Sequence, residues 1–239
     1  MSEVVYPPVI AAAKLMFKVL DLKIRVEGSD NVPRTGGAVL ASNHIGYLDF
    51  IFAGFGAHPS KRLVRFMAKQ EVFKHAIGGP LMRGMKHIPV DRGSGIQSYR
   101  DALTALKSGE VVGIFPEATI STSFTVKDLK TGATRLAMSA GVPLIPVAVW
   151  GTHRMWTKGR PKTLTRRHTP ITILVGEPIE AGRKDDVNVL TTELRRRMTV
   201  LVEKAQAEYP DKPAEGEDPW WLPAYMGGTA PQPAAAPAS

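Results

Sequence analysis

The chain has 239 residues, 44% of them hydrophobic, no cysteine, a net charge of +9 and a pI near 9.8. That length and apolar content suit one large domain with a substantial core, and the lack of cysteine excludes disulfides, thiolate metal sites and a cysteine nucleophile while fitting a reducing compartment. The positive charge implies a polyanionic partner: nucleic acid, an anionic membrane surface, or a phosphorylated substrate with an acidic carrier.

The first residues lack the basic region, apolar stretch and small-residue cleavage site of a signal peptide, and no run approaches the roughly 18 apolar residues of a membrane span. From Pro8 to about Leu22 the apolar residues cover much of a helix, with Lys14 and Lys18 on its polar stripe. Such a helix, within residues 1–23, either lies in a membrane interface with its lysines at lipid phosphates or covers the core. Strand patterns follow at Leu22 to Val26, Ala38 to Ser42, Leu63 to Ala68, His87 to Val90, Val111 to Phe115, Leu144 to Trp150 and Ile171 to Val175. Several are continuous Val/Ile/Leu runs, as expected of strands buried on both faces. Helical patterns fall at Asp49 to Gly56, Ile96 to Lys107, Lys130 to Ala140 and Val187 to Glu208. The alternation predicts a single α/β domain over 24–209, with about seven strands in a mostly parallel or mixed sheet flanked by helices. From Pro210 to Ser239, Pro, Ala, Gly and acidic residues predict a flexible, disordered tail. Within it PWWLPAYM, Pro219 to Met226, is too aromatic for a linker and either docks on the domain or enters a membrane interface.

SNHIGYLDF, Ser42 to Phe50, sets His44 five residues before Asp49 at the end of a strand. On one regular helix the two would diverge by about 140°, but a turn at Gly46, whose missing Cβ permits unusual dihedrals, brings them together. A loop after a strand is where α/β sheets carry their sites. There Asp49 can fix the tautomer of His44, leaving the other ring nitrogen to remove a proton from a substrate hydroxyl. The alternative is that Asp49 only caps the following helix. No G-x-S-x-G elbow, Walker A loop or strand-linked G-x-G-x-x-G occurs, which argues against an acyl-serine and a nucleotide substrate. His75, His87, His153 and His168 lack metal-ligand spacing.

Three further segments end or border strands. HIPVDRGSG offers Arg92 as a phosphate grip or a surface ion pair. FPEATIS offers Glu117 as a ligand for a substrate hydroxyl or as a helix-start acid. VPLIPV sets Pro143 and Pro146 around a strand, as a groove wall or as strand punctuation. GTHRMWTKGRPK, Gly151 to Lys162, with Arg166 to His168, is either a contact for phosphate groups or a solvated basic loop.

In this order NHIGYLD, HIPVDR, FPEAT and VPLIPV resemble the blocks of the glycerophospholipid acyltransferase family, in particular bacterial 1-acylglycerol-3-phosphate acyltransferases, over about residues 25 to 180. The resemblance implies His44 as general base and Asp49 as its orienter. It implies that Arg92, Glu117 and Thr119 hold the phosphate end of the acceptor, with Lys69 and Lys130 at phosphate or oxyanion, and that Val142, Pro143 and Pro146 border the acyl donor. It implies acyl-CoA or acyl carrier protein as donor, a lysophospholipid acceptor, no metal or other cofactor, and a cytoplasmic enzyme peripheral on the anionic inner face of the membrane. Ile120 stands where the family's E-G-T-R carries arginine, which leaves open another lysophospholipid or a glycolipid as acceptor. The rivals are a nucleic-acid-binding module, for which no helix-turn-helix, zinc-finger or RNA-recognition pattern is found, and a non-catalytic membrane-surface protein.

Overall fold

The computed structural model describes residues 3–91, 93 and 95–233. Strand β2, Ala38–Ser42, is buried at all five positions, as are the seven of β6, Leu144–Trp150, and the six of β7, Pro170–Val175. These are the continuous apolar runs, and they lie inside the sheet. With β1 (Lys23–Glu27), β3 (Val64–Lys69), β4 (Ile88–Val90) and β5 (Val111–Ile114) they form a seven-stranded sheet in the order β1-β7-β6-β2-β5-β3-β4. All neighbours are parallel except β6 and β7, so the sheet is mixed, as expected.

Successive side chains of a strand face opposite ways, and the two cores follow from that. Val39, Ala41, Val112 and Leu144 pack against Leu106 of α5 (Ile96–Lys107), Leu136 of α6 (Gly132–Ala140), and Leu194 and Met198 of α7 (Val187–Ala207). Leu40, Val111, Ile145 and Ile173 pack on the other face beneath Phe17 of α1 (Tyr6–Val19) and Phe52 of α2 (Asp49–Gly56). Helix α6 ends at Gly141, whose φ of 66° provides the left-handed turn that closes a helix. Asp186 caps α7, its carboxylate accepting the N–H groups of Asn188 at 2.7 Å and Val189 at 3.2 Å.

Helix α1 is a core helix on one side, where Tyr6 donates to the Val64 carbonyl at 2.7 Å and Phe17 stacks on Phe52. Its other side presents Lys14, Leu15, Lys18 and Val19 to solvent. Two short helices, α3 (Gln70–Phe73) and α4 (Gly78–Gly84), fall between β3 and β4. The expected flexible tail divides in two. Residues 219–230 fold onto the domain, with Trp221 buried and Trp220 and Leu222 packed beside it. Burial of one such side chain contributes about 3 kcal/mol, one part of what offsets the ordering of the segment, and of the two readings of Pro219 to Met226 the fold takes docking on the domain. Residues 234–239 lie outside the described residues.

Candidate active site

Strands β2, β3, β4, β5 and β6 are linked through parallel pairs, so the loops after them open on one edge. Chain connections diverge at β2: β3 lies beyond β5 on one side, while β6 lies on the other, making a crevice of the kind that receives ligands. Asn43 fixes the loop after β2, donating to the Val149 carbonyl at 3.0 Å and accepting the Val149 N–H at 2.7 Å. His44 Nδ1 then lies 3.0 Å from Asp49 Oδ2.

Asp49 is fully buried, so its carboxylate must be paired. Oδ2 also accepts the N–H groups of Ile45 at 2.7 Å and Gly46 at 2.8 Å, and Oδ1 accepts Thr152 Oγ1 at 2.5 Å. Its oxygens therefore face back to the loop, and no side chain caps α2. An acceptor at Nδ1 places the imidazole proton there and leaves Nε2 with its lone pair. The ring stacks on Phe115 at 4.3 Å and its side chain keeps 22% exposure, enough for a substrate to reach it.

Gly46 makes this turn for a reason other than the expected dihedral freedom. It is absent from the glycines of positive φ; instead a Cβ there would stand 3.0 Å from the Trp156 carbonyl oxygen and 3.2 Å from the His153 nitrogen. Close approach of the loop after β6 favours the glycine, and it is this loop that delivers Thr152 to Asp49. The Tyr47 N–H donates to the Trp156 carbonyl at 3.0 Å, and Thr157 Oγ1 to the Ile45 carbonyl at 2.6 Å.

Glu117 lies beside His44 but is turned inward. Its oxygens accept the backbone N–H of His44 at 2.9 Å and of Lys127 at 3.1 Å. Only 4% exposed, it clasps two loops instead of offering a free carboxylate to a substrate. Burial pushes its carboxyl up to about 7 against the opposing pull of those two N–H groups. Next to it, Ala118 has φ of 61°, a left-handed conformation at the position where the resembling family writes glycine. Thr119 is exposed and its Oγ1 accepts Lys127 Nζ at 2.5 Å, a lysine that no motif of the sequence marks.

Lys69 ends β3 at the same edge and pairs with Glu71 at 3.2 Å. Lys130 is exposed after the Glu117 loop, its N–H bound to the Pro116 carbonyl at 2.9 Å. Arg92 lies outside the described residues. The expected donor border does not join the site. Val142 and Pro143 precede β6 beside Val39, five residues back along β2 from His44 and so roughly 16 Å away at the opposite edge, while Pro146 is buried inside the sheet. Parallel pairing of β6 with β2 is the cause.

An apolar cavity of about 320 Å³ lies nearby, lined by Ile10, Ala13 and Phe17 of α1, Phe50 and Phe55 of α2, and Met82 of α4, among others. An aromatic series connects it to the histidine: Phe50 against Phe66, Phe66 stacked on Phe115, and Phe115 on His44. The sequence offered the residues of α1 as membrane interface or core and gave no sign of a cavity.

An imidazole–carboxylate pair at the switch point of a parallel-edged α/β sheet, joined through aromatic rings to an apolar cavity, is arranged to take a proton from a hydroxyl and to hold an apolar chain. The chain belongs to the acyltransferase family, whose model, described as Acyltransferase, matches residues 23–150. Among its relatives, the 1-acyl-sn-glycerol-3-phosphate acyltransferase of Bacillus subtilis (strain 168) is 31% identical over 191 residues, covering 76% of this chain and 89% of the relative. The chloroplastic 1-acyl-sn-glycerol-3-phosphate acyltransferase of Arabidopsis thaliana is 29% identical over 181 residues, 74% of this chain and about half (48%) of that longer one. The crystal structure of the 1-acyl-sn-glycerophosphate acyltransferase PlsC from Thermotoga maritima superposes with a TM-score of 0.73 at 26% identity, covering 86% of this chain and 81% of that one.

Proposed function

We propose that this acyltransferase moves a fatty acyl chain from acyl-CoA or acyl carrier protein to the free hydroxyl of 1-acylglycerol-3-phosphate, making phosphatidate. The observation that carries it is the buried Asp49 carboxylate held by four donors, one of them His44 Nδ1. The names of the relatives supply the acceptor, and acylating its free hydroxyl gives phosphatidate.

His44 Nε2 takes the proton of the acceptor hydroxyl, and the imidazolium is stabilised by Asp49. The alkoxide oxygen attacks the thioester carbonyl, forming the new C–O bond. The C–S bond then breaks, and the thiolate leaves with the proton held on Nε2. Charge developing on the carbonyl oxygen needs hydrogen-bond or cationic donors; Lys69 at the same edge is one. Arg92, Lys127 and Lys130 attract the acceptor phosphate, with Glu117 positioning the His44 backbone. The apolar cavity lined by Phe50, Phe17 and Met82 receives acyl chain. The solvent face of α1 with Lys14 and Lys18, and the net positive charge, suit an anionic bilayer surface on the cytoplasmic side; among the described residues no helix is long and apolar enough to cross it.

The test is release of the donor thiol, CoA or carrier protein, by purified protein in vesicles, with lysophosphatidate set against other lysophospholipids and glycolipid acceptors, since Ile120 replaces the arginine of the family block. Lysophosphatidate is expected to be turned over fastest. Release with none of the acceptors, from either donor, would refute the assignment.

A further inference from the structure

The turn after β6, Thr152–Arg154, is held from two sides. Thr152 reaches forward to the Asp49 carboxylate. The next two residues reach backward to the C-terminal segment. His153 is buried among Phe124 and Trp150, with ring centroids at 4.5 and 4.4 Å, and its Nε2 lies 2.9 Å from the Trp221 carbonyl oxygen. Since that partner only accepts, Nε2 carries the proton, and burial holds the ring neutral, its pKa down at about 3. The Arg154 guanidinium lies 4.3 Å over the Trp221 ring and bonds to Asp211.

The segment is built to stay in place. Leu222 N–H bonds to the Pro219 carbonyl at 3.0 Å and Thr229 N–H returns to the same carbonyl at 3.3 Å, closing a compact loop. Tyr225 bonds to Gln206 of α7, and Arg160 lies 4.9 Å over the Trp220 ring. A second route leads to the other half of the pair. Trp220 packs edge-on against Phe124, and Gln206 donates to the Phe124 carbonyl at 2.9 Å. Phe124 belongs to the loop whose Ser121 N–H binds the His44 carbonyl at 2.7 Å and whose Glu117 accepts the His44 N–H.

We propose that the C-terminal segment from Asp218 to Ala230 is a positioning element of the active site, in which Trp221, through His153 and Thr152, sets the orientation of Asp49 and so of His44. The element lies outside residues 23–150, the span matched by the family model, in an aromatic stretch set within a Pro- and Ala-rich tail. The proposal rests on the acyl-transfer assignment above for its kinetic readout, and on hydrogen exchange for one that does not.

The experiment compares full-length protein with Trp221→Ala, Trp221→Leu and Trp221→Phe, alone and combined with Thr152→Val. Acyl-CoA and lysophosphatidate serve as substrates, and amide exchange is followed in parallel over Ser42–Phe50. Trp221→Ala and Trp221→Leu are expected to lower kcat roughly tenfold with KM within about twofold, and to speed exchange of the Ile45 and Gly46 amides, with Trp221→Phe restoring most of both. In the Thr152→Val background the same changes should lower kcat less than about twofold, because one chain of contacts has already been cut. Folded Trp221 variants with wild-type kcat and exchange, or losses that simply multiply with that of Thr152→Val, would overturn the proposal; so would an Ala variant that fails to fold alongside a Leu variant with wild-type kcat and exchange. Absence of turnover in the wild type with altered exchange in the variants would instead remove the acyl-transfer assignment and leave the positioning role standing.

Discussion

Thr152→Val replaces a hydroxyl by a methyl of the same shape and removes the donor to Asp49 Oδ1, while His44, Ile45 and Gly46 still hold Oδ2. A hydrogen bond to a charged group contributes about 1.5–3 kcal/mol, and a buried acceptor left unpaired costs its desolvation. Asp49 has no solvent exposure with which to recover that loss, so stability should fall by about 2 kcal/mol in urea denaturation. If half to all of that is expressed as lost alignment of His44 in the transition state, kcat drops about 5- to 30-fold, at roughly 1.4 kcal/mol per tenfold. KM should change little, because Thr152 lies behind the carboxylate and not at the substrate. Thr152→Ser keeps the hydroxyl and should retain most of the activity. Wild-type stability and kcat in the valine variant would refute the reasoning.

Three other perturbations follow from the same geometry. His87 and His153, buried and held down at about 4 and about 3 by desolvation, stay neutral in the native protein while their unfolded forms protonate below about 6.5; Glu117, held up at about 7, binds a proton in the native protein that the unfolded chain takes up only near 4.5. Two protons favour the unfolded chain and one the native, so between about pH 6 and 4.5 these groups remove about 1.4 kcal/mol of stability per pH unit, and a denaturation midpoint that is flat or rises on acidification would contradict it. Ala118→Gly relieves a left-handed φ of 61° and should raise stability by about 0.5–1 kcal/mol after the added freedom of the unfolded chain is counted; a lower melting temperature would count against the conformation described. Gly46→Ala drives a Cβ to 3.0 Å from the Trp156 carbonyl oxygen, and should lower kcat roughly tenfold by displacing Thr152 from Asp49, whereas full activity would show that the two loops can separate without consequence.

The strands were legible because burial on both faces leaves continuous apolar runs, and the observed β2, Ala38–Ser42, and β6, Leu144–Trp150, have the bounds those runs imply. Helices α3 and α4, four and seven residues long, are too short to display a helical period. His44 and Asp49 were legible because they share one turn. Thr152 was not, because it arrives from 103 residues away and a lone threonine after a strand carries no spacing. Glu117 was found as a residue but not as a clasp, since its partners are backbone amides that have no sequence signature. The prolines of VPLIPV were misplaced because a motif does not reveal which end of its strand faces the site; the parallel register of Leu144 with Val39 decides that. The aromatic run Pro219 to Met226 was legible as a docking candidate inside a stretch otherwise rich in Pro, Gly and acidic residues, but its partners His153 and Arg154, distant in sequence, were not.

Everything proposed for the reaction turns on His44, oriented by Asp49, as the base of an acyl transfer. Its most direct test is CoA release from acyl-CoA with lysophosphatidate by His44→Ala, beside a thermal melt of the same preparation. The account predicts a loss of at least about 100-fold in kcat with the fold retained, and a folded His44→Ala protein that transfers acyl chains at the wild-type rate would contradict it.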